Sequence, residues 1–460
     1  MTGNILDNYA TASSLGLAEA LAARRISAVE LFDTAVAAIE ARDGAINAVV
    51  MRDFDRARES AKAADAALAR GERRPLLGVP MTIKESHHIA GLPTTWGLEP
   101  FKDWTPTWDS TGVARLKAAG AVILGKTNVP TSLADWQTIN PIYGRTNNPL
   151  DLARTPGGSS GGGAAALAAG MVPLEFGSDI GGSIRVPAHF CGLYGHKPSF
   201  NLIPQTGHAP PGFAEPGVGV ELAVVGPLAR SAGDLELALN VLAGPAGDMA
   251  KGYRLMLPAP RARQVSDLRV LVIDHHPIAG ADAEVLGVLN NLADSMVRGG
   301  AKVIRAATLD SLPDFGQTHE AYMGMSGAII SRMEPGFAEP ITAHAWMDLI
   351  WAQDAVRRQW AKVFETVDVV LAPPFGVAAF PHIDEPDWGK RSLMLDGEPT
   401  PYGVQLAWSG IASFANLPAT CAPVGTTAGG LPVGVQIIGP FLEDRTTIAV
   451  AEMVGQLTGR

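Results

Sequence analysis

The sequence predicts an α/β protein, with a large mixed, mostly parallel twisted sheet that is covered by helices on both faces. Two observations lead to this prediction. Short apolar runs alternate along the chain with segments of helical periodicity, which is typical of parallel strands joined by helical crossovers. Apolar residues make up 47% of the 460 residues and charged residues 18%, which is enough apolar material to bury an extended sheet.

The first strong helix signal begins at Ser27. Ser27 and Glu30 fit a capping box, and Gly44 follows the last turn. Helical spacing then predicts one apolar face made of Val29, Phe32, Val36 and Ile39. A second helix is predicted over 111–119, directly before the apolar strand 121–124.

The C-terminal half continues this alternation. Further apolar strands are predicted at 269–273, 302–304, 367–371 and 435–438. A helix that stops at Gly299 precedes the strand at 302, and its apolar stripe is Val285, Leu289, Leu292 and Met296. The last predicted helix runs over about 446–457, with Asp444 as its cap.

Strand candidates continue after each loop, so a single domain is predicted for residues 1–460. Stretches rich in Pro and Gly follow residue 195 and residue 373. We therefore expect substrate-side elaborations of this domain at about 195–220 and 310–405.

Composition excludes several classes of function. The net charge is −10 and no long basic run is present, which argues against nucleic acid as a ligand. Cys191 and Cys421 form no disulfide framework, and the paired histidines do not have the spacing of metal ligands. The N-terminus has no signal-peptide pattern, and the most apolar stretch, 163–174, is too short to span a bilayer. These features predict a soluble cytoplasmic protein with no metal and no membrane partner.

Three segments carry groups suited to amide hydrolysis. Lys84 follows an apolar run, the glycine-rich run 157–163 contains Ser159 and Ser160, and Ser183 follows two glycines. A serine attacks a carbonyl only when a base removes its proton, and a lysine can be that base if burial keeps it neutral. Successive N–H groups in a glycine turn can converge on one oxygen and stabilise its negative charge.

Other interpretations of the same residues remain open at this point. The run 157–163 precedes an alanine-rich helix and could cradle a phosphate, although it lacks the Gly-Lys of a Walker A loop. Ser160 also fits a nucleophile elbow, but no strand is predicted before it. The histidines that could act as bases instead of Lys84 are His87, His88, His189 and His196.

The chain resembles the amidase signature family over nearly its whole length, most strongly over residues 76–200. The matching segments are 78–84, 125–128, 148–149, 156–162, 177–187, 195–199, 431–436 and 443–444. The resemblance implies the amidase signature fold, with a catalytic core over about 70–235. It also implies that Ser183 is the nucleophile, that Ser159 is a bridging serine that often follows a cis peptide bond, and that Lys84 is the terminal base.

The resemblance further implies roles for the residues around this triad. The backbone N–H groups of the expected oxyanion hole belong to Ile180, Gly181, Gly182 and Ser183. The residues expected to support these loops by hydrogen bonds are Ser160, Asp179 and Arg185. No metal and no organic cofactor is expected, and water and a small amide are the expected partners, with a homodimer as one option for assembly.

The substrate is less well specified. Glu85 and Ser86 replace residues that are usual after the lysine, and 199–203 departs from the common pattern. The segment 199–205 disfavours the amidotransferase branch of the family relative to a stand-alone amidase for a small or medium neutral amide, with aryl amides, anilides and carbamates as candidates. The alternatives are the catalytic subunit of a glutamine-dependent tRNA amidotransferase and an idle scaffold. The predicted substrate-binding residues are Trp136, Tyr143 and Phe200, and apolar residues further along could add to the pocket: Met323, Met325, Trp346 and Trp351.

Overall fold

A computed structural model describes residues 5–212, 219–309, 311–333 and 338–459. Parts of both expected elaborations, 213–218, 310 and 334–337, lie outside these described residues. The strands of the described residues are, in chain order, β1 (Val49–Arg52), β2 (Pro80–Lys84), β3 (Val122–Thr127), β4 (Ile139–Asn140), β5 (Gly144–Arg145), β6 (Leu174–Asp179), β7 (Tyr194–Lys197), β8 (Val224–Ala229), β9 (Arg269–Val272), β10 (Lys302–Arg305), β11 (Val369–Ala372), β12 (Ser392–Leu395), β13 (Glu398–Pro401), β14 (Ala419–Thr426) and β15 (Pro432–Ile438).

The α-helices of the same residues surround these strands. They are, in chain order, α1 (Ser14–Ala22), α2 (Ala28–Arg42), α3 (Phe54–Ala69), α4 (Thr111–Ala118), α5 (Gly161–Ala168), α6 (Arg185–Cys191), α7 (Ala232–Leu242), α8 (Met249–Gly252), α9 (Ala283–Arg298), α10 (Phe315–Met333), α11 (Ala343–Thr366), α12 (Leu406–Ser413) and α13 (Asp444–Thr458). Each helix and strand that we predicted from periodicity is present, with bounds shifted by up to a few residues.

Eleven of the strands form one mixed sheet, in the order β1-β3-β2-β6-β8-β7-β14-β15-β11-β9-β10. The expected parallel majority is wrong, because four pairs of neighbours are parallel and six are antiparallel. The pairs β2/β3 and β9/β10 are parallel because a helix carries the chain back between them. A buried strand reads as a continuous apolar run in either orientation, so the sequence did not reveal the antiparallel pairs.

Both faces of the central sheet are buried, as the sequence predicts. Val270 and Leu271 are neighbours on β9, and they belong to different apolar clusters on opposite faces of the sheet. On α9 the predicted stripe of four apolar residues is buried. On α2 the capping box is present, but the buried face is rotated away from Val29 and Val36 and consists of Ala28, Leu31, Phe32, Ala35, Ala38 and Ile39.

The last helix differs from its prediction at its first turn. Asp444 is the first residue of α13 and does not cap it, since Glu443 occupies the cap position. The buried Asp444 carboxylate instead accepts hydrogen bonds from Ser199 N at 2.8 Å and Ser199 Oγ at 2.7 Å, and His196 Nε2 lies 3.1 Å away. This contact fastens the C-terminal helix to the chain that leaves β7.

The topology places two chain segments at the same edge of the sheet. β2 and β6 are parallel neighbours, with Thr82 opposite Glu175 and Ile83 opposite Phe176. Parallel strands end at the same edge of a sheet, so Lys84 at the end of β2 lies near the turn that follows Asp179 at the end of β6. The helix α5 packs against both strands and brings the glycine-rich run 157–163 to the same place.

Candidate active site

Lys84 is buried completely at the end of β2. Its Nζ lies 2.7 Å from Ser159 Oγ and 2.9 Å from Ser178 Oγ. Within the described ranges, no carboxylate forms an ion pair with this amine. Burial lowers the pKa of Lys84 to about 7, although the charges of Asp179 and Glu175 act in the opposite direction. A neutral Lys84 can therefore accept a proton from a hydroxyl at this position.

Ser159 lies beside Lys84, and only 2% of it is exposed. The peptide bond between Gly158 and Ser159 is cis. A Cβ on Gly158 would lie 2.2 Å from Asp135 O, so only glycine allows the loop to approach that carbonyl. Ser160 then holds the loop against the turn, because its N–H donates to Ser183 O at 3.2 Å and its hydroxyl donates to Ser178 O at 3.2 Å.

The turn 180–183 connects β6 to α6, and we call it the glycine turn. Asp179 stabilises this turn by accepting hydrogen bonds from Gly182 N and Ile184 N, both at 3.0 Å. The fully buried Arg185 donates to Asp179 at 2.8 Å. Burial opposes the charge of Asp179, but the Arg185 guanidinium and these hydrogen bonds hold its pKa at about 2.

Three N–H groups of the glycine turn are free to bind an oxygen. The amides of Ile180, Gly181 and Ser183 donate to no acceptor in the part of the chain that the structure describes. The Gly182 amide donates to Asp179, which reduces the expected set of oxyanion donors from four to three. Ser183 is partly exposed, and its Oγ makes no hydrogen bond to another described residue. The turn can thus present a hydroxyl and several N–H donors to one substrate carbonyl.

Arg185 ties the glycine turn to the C-terminal part of the chain. Its guanidinium donates to Ser409 O at 3.1 Å, Gln436 Oε1 at 3.0 Å and Ser413 Oγ at 2.8 Å. Ser160, Asp179 and Arg185, the predicted support residues, therefore each form hydrogen bonds at the glycine turn or with its neighbouring residues. No local sequence signal marks Ser409, Ser413 or Gln436 as support residues, because they lie more than 200 positions away from Arg185.

Two aromatic side chains also hold the glycine turn. Trp136 Nε1 donates to Gly181 O at 2.9 Å, and Tyr322 OH donates to Ile180 O at 3.1 Å. Trp136 was predicted to bind substrate, yet its ring is 2% exposed and packs in an aromatic cluster with Phe375 and Tyr402. Its contact with the turn is made through the indole N–H. Tyr322 was not identified from the sequence, since a tyrosine within a helical segment resembles any core residue.

The other predicted pocket residues are not joined to the triad. Tyr143 OH lies 3.3 Å from Glu85 Oε1, and Phe200 N donates to Asn416 O at 3.2 Å. In the described residues, no hydrogen bond or ring contact links either side chain to Ser159 or Ser183.

Several apolar side chains from α10 to α12 pack beside the glycine turn. Ile180 and Leu406 contact a buried cluster that consists of Leu222, Tyr322, Met325 and Phe414. Trp346 packs against this cluster as well. In contrast, Met323 and Trp351, two further candidates from the sequence, are 38% and 63% exposed.

The histidines have other partners. His87 is stacked on Phe176 at 4.3 Å, and burial lowers its pKa well below the usual value. His196 contacts Thr420 and Asp444, and His189 Nδ1 accepts a hydrogen bond from Gly434 N at 2.7 Å. His88 packs against Trp104 and Trp108. No histidine of the described residues bonds to Ser159 or Ser183, which disfavours the histidine-base interpretation.

The elbow interpretation is also disfavoured by geometry. Ser160 is fully buried and its hydroxyl is engaged by Ser178, so it does not present Oγ to a substrate. The residues before it form no strand. In addition, the described residues contain no group of three or more His, Cys, Asp or Glu side chains that could hold a metal ion. Among the described helices none is both long and apolar enough to cross a membrane.

This fold and this site define an amidase-type hydrolase, and comparison with known proteins identifies its family. The family model described as Amidase matches residues 30–326 and 326–448. The chain belongs to this amidase signature family and is an amidohydrolase enzyme.

Curated relatives match almost the full length of the chain. A glutamyl-tRNA(Gln) amidotransferase subunit of Anaeromyxobacter dehalogenans (strain 2CP-C) is 33% identical over 491 residues, covering 97% of this chain and 96% of the relative. A protein of Mycobacterium tuberculosis (strain ATCC 25618 / H37Rv) that carries the name amidase AmiB2 is 32% identical over 474 residues, covering 97% and 96%.

Solved structures share the fold. A structure described as a vestigial protein complex that reveals the evolutionary origins of an s-triazine catabolic enzyme has a TM-score of 0.83 at 30% identity, covering 97% of this chain and 99% of that chain. A bacterial aryl acylamidase of the amidase signature enzymes has a TM-score of 0.80 at 25% identity, covering 98% and 97%.

Proposed function

We propose that the protein hydrolyses the carbon–nitrogen bond of a small or medium neutral amide through an acyl-enzyme on Ser183. One observation carries the proposal. Buried Lys84 lies 2.7 Å from Ser159 Oγ, and the glycine turn that follows β6 contains Ser183 and three backbone N–H groups that have no acceptor among the described residues. A base, a bridging hydroxyl, a nucleophile and oxyanion donors are the groups that acyl transfer from an amide requires.

The proposed reaction uses these groups in turn. Neutral Lys84 takes the proton of Ser159, and Ser159 takes the proton of Ser183 as Ser183 Oγ bonds to the substrate carbonyl carbon. The carbonyl oxygen gains negative charge beside the N–H groups of the glycine turn. Ser159 then donates a proton to the leaving nitrogen and regains one from Lys84 as the carbon–nitrogen bond breaks. Water, deprotonated through the same relay, cleaves the ester and releases the acid and free Ser183.

The apolar surroundings of the glycine turn favour a neutral substrate with an apolar acyl group. Ile180 and Leu406 extend an apolar cluster up to the turn. The two charged side chains that touch the turn, Asp179 and Arg185, are buried and paired with each other. An uncharged aryl or alkyl acyl group would bury apolar surface here without leaving a charge unpaired. Aryl amides, anilides and aryl carbamates fit this description, and the structural relative described as an aryl acylamidase supports it.

A second candidate is the catalytic subunit of a glutamine-dependent tRNA amidotransferase. The observation that favours it is the 33% identity to a relative of that kind over 97% of the chain. Glutamine brings an ammonium and a carboxylate group, and both need charged partners in a site. Because Asp179 and Arg185 already satisfy each other, the neutral amide is the better match.

Turnover by the purified chain alone distinguishes these candidates. The chain is incubated with a panel of aliphatic amides, anilides, aryl carbamates, esters and glutamine, and the released amine or ammonia is measured. We expect hydrolysis of neutral amides without a partner, little glutaminase activity, and loss of turnover in Ser183→Ala. Glutamine hydrolysis that requires added partner proteins, with no turnover of neutral amides, would support the amidotransferase instead.

A further inference from the structure

Tyr322 forms a hydrogen bond to the peptide group that carries the Gly181 N–H, one of the donors without an acceptor in the described residues. Its hydroxyl donates to Ile180 O at 3.1 Å. The Ile180 carbonyl and the Gly181 N–H belong to one planar peptide group and point in nearly opposite directions. A donor that fixes the carbonyl therefore also fixes the direction of the Gly181 N–H.

This peptide group needs such a partner, because glycine does not restrain it. The peptide group lies between Ile180 and Gly181, and Gly181 has no Cβ, so rotation on the glycine side meets little steric resistance. The first three carbonyls of the turn have different partners: Tyr322 for Ile180 O, Trp136 at 2.9 Å for Gly181 O, and Val186 N at 2.7 Å for Gly182 O. The Gly181 N–H has no acceptor in the described residues, so its orientation depends on the Ile180 carbonyl.

The Tyr322 ring is itself immobilised. It is fully buried in an apolar cluster with Leu222, Met325 and Phe414. On its other side it packs against Gly410 of α12, where an added Cβ would lie 2.9 Å from the ring. The hydroxyl is therefore delivered to Ile180 O by a ring that has no space to move.

We propose that Tyr322 is a positioning residue for the hydrolysis, which aims the Gly181 N–H at the substrate oxygen that becomes negatively charged. The inference rests on the proposed function, because it assigns that oxygen to a tetrahedral intermediate on Ser183. A donor fixed in advance stabilises the transition state more than the bound substrate. Tyr322 thus affects the rate of the chemical step and not substrate affinity.

The test replaces Tyr322 with Phe, which removes one oxygen and keeps the ring. We expect kcat for the best amide to fall about tenfold or more, with KM nearly unchanged, because one hydrogen bond that orients a donor is lost. The Ki of a trifluoromethyl ketone analogue of that amide, which forms a tetrahedral oxyanion on the serine, should rise by a similar factor. Thermal unfolding of each variant shows whether the fold is retained.

Tyr9→Phe is the matched control. Tyr9 is also buried, at 4% exposure, and its hydroxyl donates to a backbone carbonyl, Met171 O, at 2.9 Å, outside the glycine turn. We expect no change in kcat or Ki in this variant. Equal effects of both substitutions, or a loss of kcat in Tyr322→Phe without a change in Ki, would overturn the inference. A wild-type chain that forms no adduct at Ser183 would instead refute the proposed function on which it rests.

Discussion

Lys84 makes the proposed reaction dependent on pH. Burial lowers the pKa of Lys84 to about 7, so the amine is protonated below that pH and has no lone pair to accept a proton. We therefore predict that kcat rises with pH, with a midpoint of about 7 on the acid limb. Lys84→Met should lose most amide turnover and lose this limb. The measurement is kcat for one amide across about pH 5 to 10.

Lys126 provides the control for this experiment. It is another fully buried lysine, and burial lowers its pKa to about 8, but its Nζ donates to Thr94 Oγ1 and not to a serine of the triad. Lys126→Met should keep the acid limb of the wild type. If Lys84→Met retained near wild-type turnover with an unchanged limb, Lys84 would not be the base.

Glu175, on the adjacent strand β6, affects the pKa of Lys84. It is fully buried and accepts hydrogen bonds from the hydroxyls of Thr82 and Thr127, and burial raises its pKa to about 7, so it is partly ionised where Lys84 titrates. The negative charge of the ionised form favours protonated Lys84. Removing the charge should lower the pKa of Lys84, because the ammonium form loses a favourable neighbour. We predict that Glu175→Gln moves the acid limb of kcat to lower pH.

Asp234→Asn is the matched control for Glu175→Gln, since it removes a buried carboxylate that accepts hydrogen bonds from Ser14 N and Leu15 N at the other end of the fold. Its acid limb should coincide with that of the wild type. A shift of the limb to higher pH in Glu175→Gln would contradict the electrostatic argument.

At the scale of the elements, α13 is fastened to the end of β7 by Asp444. Its buried carboxylate accepts both the N–H and the hydroxyl of Ser199. Truncation leaves these donors without an acceptor, and we predict that Asp444→Ala lowers the free energy of unfolding by roughly 2 to 4 kcal/mol. Denaturant unfolding measures this change. Asp294 is exposed on α9, and its replacement by Ala should change stability by less than about 0.5 kcal/mol; similar losses in both variants would refute this role of Asp444.

The elements differ in how far the sequence predicts them. Helix α2 was predictable because its cap is local, with Ser27 and Glu30 only three residues apart. The role of Asp444 was not predictable, because its partner Ser199 precedes it by about 245 residues and local spacing suggested that Asp444 caps the last helix. The antiparallel pairs of the sheet were missed for a related reason, since strand orientation depends on long-range pairing.

The residues of the site also differ in how far the sequence predicts them. Lys84, Ser159 and Ser183 could be selected because serine, lysine and glycine in these patterns suit one chemistry, and the resemblance joined them. Ser178 and Tyr322 were missed, although they contact Lys84 Nζ and Ile180 O. Isolated residues of common types give no local signal, and only the folded chain brings them to the triad.

For the whole molecule, we propose a single domain, because strands from Val49–Arg52 to Pro432–Ile438 share one sheet. Its stability should rise between about pH 7 and 9, because above that range buried Cys191 and Cys421, whose pKa values burial raises, oppose the effect. Burial lowers the pKa of Lys84 and Lys197 to about 7 from 10.5, so in this window the unfolded chain binds more protons than the folded chain. Denaturant midpoints at several pH values test this, with one transition expected at each. A midpoint that falls from pH 7 to 9 would contradict the prediction.

The central claim is that Ser183 carries the acyl group and that Lys84 activates it through Ser159. The most direct measurement treats the wild type and Lys84→Met with an aryl fluorophosphonate and maps the adduct by mass spectrometry. We predict labelling of Ser183 in the wild type, much slower labelling of the same residue in the variant, and none at Ser160. Rapid labelling at Ser160 with Ser183 unmodified, or equal labelling rates in the two proteins, would contradict it.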